Sequence, residues 1–411
     1  MSSAGTSSLE RGATPVVPPG SGAIVSLSQA LNGNNNSLGL IRLVLAAAVI
    51  FDHAFPLGGF GLDPVKELTR DQASLGSLAV GGFFAISGYL IAKSGMSGDV
   101  VQFMWRRTLR IFPAYWAVLL VTGFVIAPLI WWLGYGRELA GYFTPGGGVT
   151  YFVANFTLNI GAYGIHDLLA TTTPYGEIAG QSVFNGSIWT LIYEWTCYLI
   201  IAVMVLFGIL RNARILVPIL TAFYLVLQIL AIIDLEWVGL VVPQLADPFA
   251  ISLTFTFLLG STLAVYSRTV PFDDRLGILS AIVLLVSLRY GGFLVVGTIA
   301  GAYLVMYLAA RLPARVQWIG KKNDYSYGVY IYGFLVQQVL AYLGAYRLGY
   351  VPFVALSLLI TFGFAWLSWH GVEKWAMRLK SWGPGKGVRH WFDKARQYSK
   401  ARRRPAGEAG Q

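Results

Sequence analysis

ILVPILTAFYLVLQILAII, from Ile215 to Ile233, contains no charged residue. A hydrocarbon core about 30 Å thick is crossed by about 20 residues of helix rising about 1.5 Å each. Inside lipid, each unpaired backbone amide costs several kcal/mol, and the stretch lacks the period-2 alternation of a barrel strand, so it has to be a helix. The same reading extends to Ile41–Ile50, Trp116–Trp132, Tyr198–Leu210 and Phe249–Val265. With the breakers between them, hydropathy predicts spans near 37–56, 74–94, 113–134, 187–209, 215–232, 246–266, 276–291, 293–310, 325–344 and 350–370. The expected fold is therefore an all-α, polytopic membrane helical bundle of about ten transmembrane helices. Composition agrees: 56% of the 411 residues are apolar and 12% charged, against roughly 25% charged in soluble domains.

Lys and Arg orient such a bundle, because cytoplasmic loops collect them. With the N-terminus inside, all but five of the 30 fall on the inner side, the exceptions being Lys66, Arg70, Arg137, Arg289 and Arg347. Both termini are thus expected in the cytoplasm. Residues 1–36, rich in Ser, Gly, Pro and Asn, lack the charged and apolar regions of a cleavable signal and read as a disordered cytoplasmic tail. Residues 37–380 form the membrane domain, and 381–411 a basic cytoplasmic tail whose nearest anionic partner is the inner leaflet rather than nucleic acid. The single cysteine, Cys197, excludes an intramolecular disulfide framework.

Two segments depart from a plain up-and-down bundle. Between Gly134 and Gly186, Pro145-Gly146-Gly147-Gly148 and Thr171-Thr172-Thr173-Pro174 punctuate an apolar stretch, 149–160, too short to span; an outer-face lid or half-helix is expected. From Val100 to Phe112, apolar residues mix with Arg106, Arg107 and Arg110, which reads as an interfacial helix ahead of the third span.

Ionisable groups in a span are expensive and point to function. His53 lies about 16 Å along the first span from Arg42, in its outer half, and Glu194 enters the fourth span at the same depth. They read either as a base with its orienting partner or as interfacial side chains that reach the headgroups. Arg107 and Arg110 share a helix face at i, i+3, which suits bidentate phosphate binding by a ligand such as coenzyme A, or else marks a positive-inside anchor. Cys197, three residues after Glu194, reads more readily as packing than as an acyl carrier. No zinc-ligand spacing, phosphate-cradling glycine loop or Gly-x-Ser-x-Gly elbow has a supporting context, so no metal site is expected.

Four patches resemble the acyltransferase-3 family of membrane acyltransferases. They are Gly39-Leu40-Ile41-Arg42-Leu43 through His53, Phe83 to Leu90 with Ser87, Arg106 to Trp116 with Tyr115, and Ser187 to Trp195 with Trp189. Asp324 to Tyr330 and Glu373 resemble the closing elements, so the similarity covers about residues 37–380. One departure is Tyr332-Gly333-Phe334, where many members carry a histidine. The resemblance implies transfer of an acyl group, by default acetyl, from cytoplasmic acyl-CoA to a hydroxyl of an extracytoplasmic polysaccharide or glycolipid, in a bacterial inner membrane. It implies His53 and Glu194 as the catalytic pair, and Arg106, Arg107 and Arg110 as the grip on the coenzyme A phosphates. Arg42, Trp189, Tyr115 and Ser87 would support them. Acyl-CoA would be a co-substrate, with no permanently bound cofactor. The competing readings are a secondary transporter or flippase of a lipid-linked sugar, for which inverted repeats would speak, and a non-catalytic scaffold.

Overall fold

The computed structural model describes residues 25–33, 36–241, 247–382, and the isolated positions 393 and 396. Ten helices, labelled here α1 to α10, follow the expected spans. They are α1 (Leu38–Gly58), α2 (Leu75–Gly95), α3 (Val100–Gly134), α4 (Ser187–Leu206), α5 (Leu216–Ile233), α6 (Pro248–Val265), α7 (Asp274–Tyr290), α8 (Phe293–Arg311), α9 (Ser326–Tyr342) and α10 (Tyr350–Ser381). Eight are long and apolar enough to cross a membrane; α7 and α9, of 17 residues each, lie at the short limit.

Several termini are set by local chemistry. Ser74 caps α2, its hydroxyl accepting from the Ser77 amide, while Asp99 and Asp247 cap α3 and α6. Gly59, at φ +68°, closes α1 in the left-handed conformation that glycine adopts without cost. Against the expectation of a separate interfacial helix, α3 runs unbroken through Pro113. Pro113 lacks the N–H that would bond the Leu109 carbonyl four positions back, yet the helix continues past it. Tyr327 of α9 donates to the Ile111 carbonyl at 2.9 Å in that turn.

Helices α2 and α6 cross at the centre. Gly88 and Gly260 face each other so closely that a Cβ on Gly88 would fall 1.9 Å from the Phe257 carbonyl oxygen, and one on Gly260 2.0 Å from that of Ala85. Between helices in lipid, where apolar side chains gain nothing by leaving hydrocarbon, such close backbone approach supplies the attraction. The Ser261 hydroxyl adds a hydrogen bond to the Gly88 carbonyl at 3.2 Å.

The 134–186 segment is a folded cap of short helical turns, Leu139–Tyr142, Gly148–Ala154 and Pro174–Ala179. Tyr115 of α3 ties it down by donating to the Asn155 and Thr157 carbonyls at 2.7 and 2.9 Å, and Gln338 of α9 donates to the Val183 carbonyl at 2.6 Å. A bidentate pair, Arg137 to Asp167 at 2.6 and 2.7 Å, closes its surface; the hydrogen bonds from Arg137 hold the Asp167 carboxyl below its usual range. At the opposite end of the bundle, residues 25–33 pack on the α6–α7 connection, with Leu27 fully buried and its amide bonded to the Val270 carbonyl at 2.8 Å. Order therefore begins ahead of position 37. The rest of the expected N-terminal tail up to residue 24, and the basic tail apart from 381, 382, 393 and 396, lie outside the described residues.

Candidate functional site

The polar side chains of the spans converge on two adjoining cavities. The first, about 100 Å³, is walled by Arg42 of α1, Ser87 of α2, Arg107 and Arg110 of α3, Glu194 and Tyr198 of α4, and Tyr327 and Tyr330 of α9. Helical periodicity explains part of this gathering: Arg107 and Arg110, and likewise Glu194 and Tyr198, are spaced to share a face.

The three guanidiniums of this chamber have different surroundings. Asp324, in the loop before α9, accepts from Arg42 at 2.5 Å and from Arg110 at 2.7 Å, and a second nitrogen of Arg110 reaches Glu373 at 3.4 Å. Asp324 also takes hydrogen bonds from the Ser326 amide at 3.2 Å and hydroxyl at 2.5 Å. Burial works to raise the Asp324 carboxyl, but Arg42 and Arg110 outweigh it and hold the group well below its usual range. Arg107, by contrast, makes no ion pair among the described residues; it lies 6.0 Å from the Tyr198 ring, and its Nε is buried without a partner. Glu194 accepts from the Ser87 hydroxyl at 3.1 Å and from the Tyr198 hydroxyl. Arg106 also has a buried, unpartnered Nε but lies outside the chamber wall. Of the three arginines singled out together in the sequence, Arg110 is tied into an ion-pair network and Arg107 alone faces the chamber uncommitted.

The second cavity, about 480 Å³, runs between α1, α2, α6 and α8. His53 and Asp52 line it, with the His53 Nδ1 and the Asp52 Oδ1 buried and unpartnered. The imidazole packs edge-on against Phe334, ring centroids 5.3 Å apart. Asp52 sits against the first turn of α2, where a Cβ on Gly76 would come 2.4 Å from its Oδ2. Trp189, edge-on to Phe249 with centroids 4.7 Å apart, lines the same cavity.

No hydrogen bond joins His53 to Glu194: the histidine faces the second cavity and the carboxylate the first. The cavities share Val80 and Tyr330, whose hydroxyl lies 2.5 Å from that of Thr190. Tyr115 belongs to neither and serves the cap. Asp52 escaped the sequence reading because adjacent helical residues point about 100° apart, so one face pattern does not select both. The joining of Arg42 and Arg110 through Asp324, 282 and 214 positions away, has no local signal at all.

Residues 35–370 match a family model described as an acyltransferase domain, Acyl_transf_3. The chain is similar to an O-acetyl transferase of Shigella phage Sf6, 29% identical over 83% of this chain and 95% of the relative. It is also similar to nodulation protein 10 of Rhizobium leguminosarum bv. viciae, 27% identical over 85% of this chain and 95% of the relative. No solved structure gives a significant match.

Proposed function

The chain belongs to the acyltransferase-3 family and is a multi-pass membrane O-acyltransferase, and on that premise we propose that it carries an acyl group from a cytoplasmic acyl-CoA to a hydroxyl of an extracytoplasmic polysaccharide or glycolipid. Acetyl is the proposed group, supported by the similarity to a protein named O-acetyl transferase. The proposed setting is a bacterial inner membrane with both termini inside.

One observation carries the reading: a buried imidazole with a free ring nitrogen stands one shared wall, Val80 and Tyr330, away from a chamber holding an unpaired guanidinium. Arg107 would take a donor phosphate, with Arg106 behind it, since a guanidinium matches phosphate geometry. The thioester then extends past Tyr330 toward His53. The imidazole accepts the proton of the acceptor hydroxyl as its oxygen bonds to the carbonyl carbon; the carbon–sulfur bond breaks and the thiol leaves with a proton returned by His53. Glu194, held by Ser87 and Tyr198, shares the chamber with Arg107 without an ion pair to it and does not touch the histidine, and Asp52 is the carboxylate at the histidine's own cavity.

Glycan mass spectrometry tests this on cells lacking the chain, complemented with wild type, His53→Ala or Arg107→Ala at equal membrane levels. An acyl-sized mass increment restored by wild type and by neither variant is the expected result. Variants that restore it fully would remove the site assignment, and an increment independent of the chain would remove the acyl-transfer reading.

A further inference from the structure

The cavity that His53 faces changes character along its length. At the cap end its lining is polar and aromatic: Asp52, His53, Gln72, Ser74 and Trp189. From there it follows α8 from Leu294 to Leu308, about 21 Å at the helical rise, and this shaft is lined by Leu45, Leu253, Ala302, Leu304, Val305 and Leu308. Among the described residues, no Lys or Arg lines it. Phe249, Leu294 and Leu308 are at once part of the lining and 54%, 38% and 40% exposed on the bundle surface, so the shaft opens sideways to surrounding hydrocarbon.

Two glycines keep the shaft open. A Cβ on Gly81 would meet nothing within 4 Å, and one on Gly301 only the Leu284 Cδ1 at 3.8 Å. Neither has a left-handed backbone, and glycine inside a helix costs about 1 kcal/mol relative to alanine. Unlike Gly88 and Gly260, these positions serve no close helix crossing; what they supply is room. The volume lies within the range of small-molecule sites, about 300–1,000 Å³.

We infer that this cleft is an acceptor-binding site for a neutral, single-tailed glycolipid, its hydrocarbon chain lying in the α1–α2–α6–α8 shaft and its hydroxyl-bearing head among Asp52, His53 and Trp189. The inference rests on the acyl-transfer reading above and selects the glycolipid from its two acceptor classes. A free polysaccharide has nothing to place in an apolar shaft. A phosphate-bearing head would meet the Asp52 carboxylate with no cation to offset it, whereas sugar hydroxyls find hydrogen-bonding side chains and an aromatic face. The lateral opening lets the tail enter from the bilayer without leaving hydrocarbon.

The probe is a hexadecyl glucoside with a diazirine at mid-chain, photolysed with the full-length protein in phosphatidylcholine nanodiscs and mapped by peptide mass spectrometry. Labelling is expected on α8 between Ala302 and Leu308 and on α1 near Leu45, competed by unlabelled hexadecyl glucoside but not by methyl glucoside. Gly81→Leu and Gly301→Leu, which fill the shaft, are expected to cut that labelling about tenfold, and Gly301→Ala to leave most of it. Each variant is first matched to wild type by elution profile and thermal unfolding. Labelling competed equally by added phosphatidylcholine, labelling unchanged in both leucine variants, or labelling spread over the outer surface would each overturn the inference. These results stand apart from the parent reading: loss of the cell-based acyl increment's dependence on the chain would sink acyl transfer even if the tail is found in the shaft.

Discussion

In the arginine chamber, ionisable groups from α1, α3, α4, α10 and the loop before α9 lie within a few ångströms, and most are committed to one another. In the adjoining shaft there is one carboxylate, one imidazole and otherwise mostly apolar or small side chains around empty space. The difference follows from what each region must satisfy. Charges removed from water need partners with good geometry, so the chamber is closed upon itself and leaves one guanidinium, Arg107, uncommitted. A hydrocarbon-lined shaft has no such requirement and can remain open toward lipid. The chamber should therefore fail by unpairing, and the histidine's cavity by loss of chemistry or of room.

The largest expected effect is on chemistry alone. His53→Ala should lower acyl transfer by about 10²–10⁴, the range for a positioned acid–base group, while thermal unfolding in detergent stays near wild type because the Nδ1 has no hydrogen-bond partner among the described residues. A large drop in unfolding temperature would make His53 a packing residue and erase the contrast. Next comes Asp324→Ala, which strips the partner shared by Arg42 and Arg110 and should cost about 3–5 kcal/mol of stability, read as a lower unfolding midpoint.

The same carboxylate gives a pH signature. Its folded-state pKa is depressed, so its stabilisation is fully present above the unfolded value, about 3.9, and is lost as pH falls below that toward the folded one. The wild-type unfolding temperature should therefore drop more steeply below pH 4 than that of Asp324→Asn; parallel curves would show that Asp324 does not carry the network.

Arg107→Ala should raise the KM for the acyl-CoA donor about tenfold, the range for losing one charge-assisted contact, with unfolding little changed and with partial recovery in Arg107→Lys. An equal effect from Arg106→Ala would move the phosphate contact off the chamber wall. The smallest effect belongs to Ser87→Ala, which removes one of the two hydroxyls bonded to Glu194 and should cost about 1 kcal/mol in unfolding. A cost comparable to that of Asp324→Ala would mean that Glu194, and not Asp324, anchors the chamber.

Much of this was legible in the chain, unevenly. The spans could be read because lipid permits one backbone solution for a long apolar run. His53 and the Arg107–Arg110 face could be read because helical period fixes their spacing. The mixture of arginines and apolar residues over 100–112 reads as a separate interfacial helix, whereas α3 continues through Pro113 because Arg107 and Arg110 turn into the chamber and the ion-pair network instead of into the headgroups. Pairing His53 with Glu194 rests on depth, and depth leaves rotation about the helix axis open; the two side chains face different cavities.

What the sequence by itself determined is the set of helices and which of them carry charge into the bilayer, because both follow from local hydropathy and the cost of unpaired polar groups. Which charges meet, which arginine is left free, and where the bundle keeps a space that two glycines do not fill were decided only by tertiary packing. Those properties depend on contacts between segments as much as 282 positions apart, for which a linear pattern holds no term.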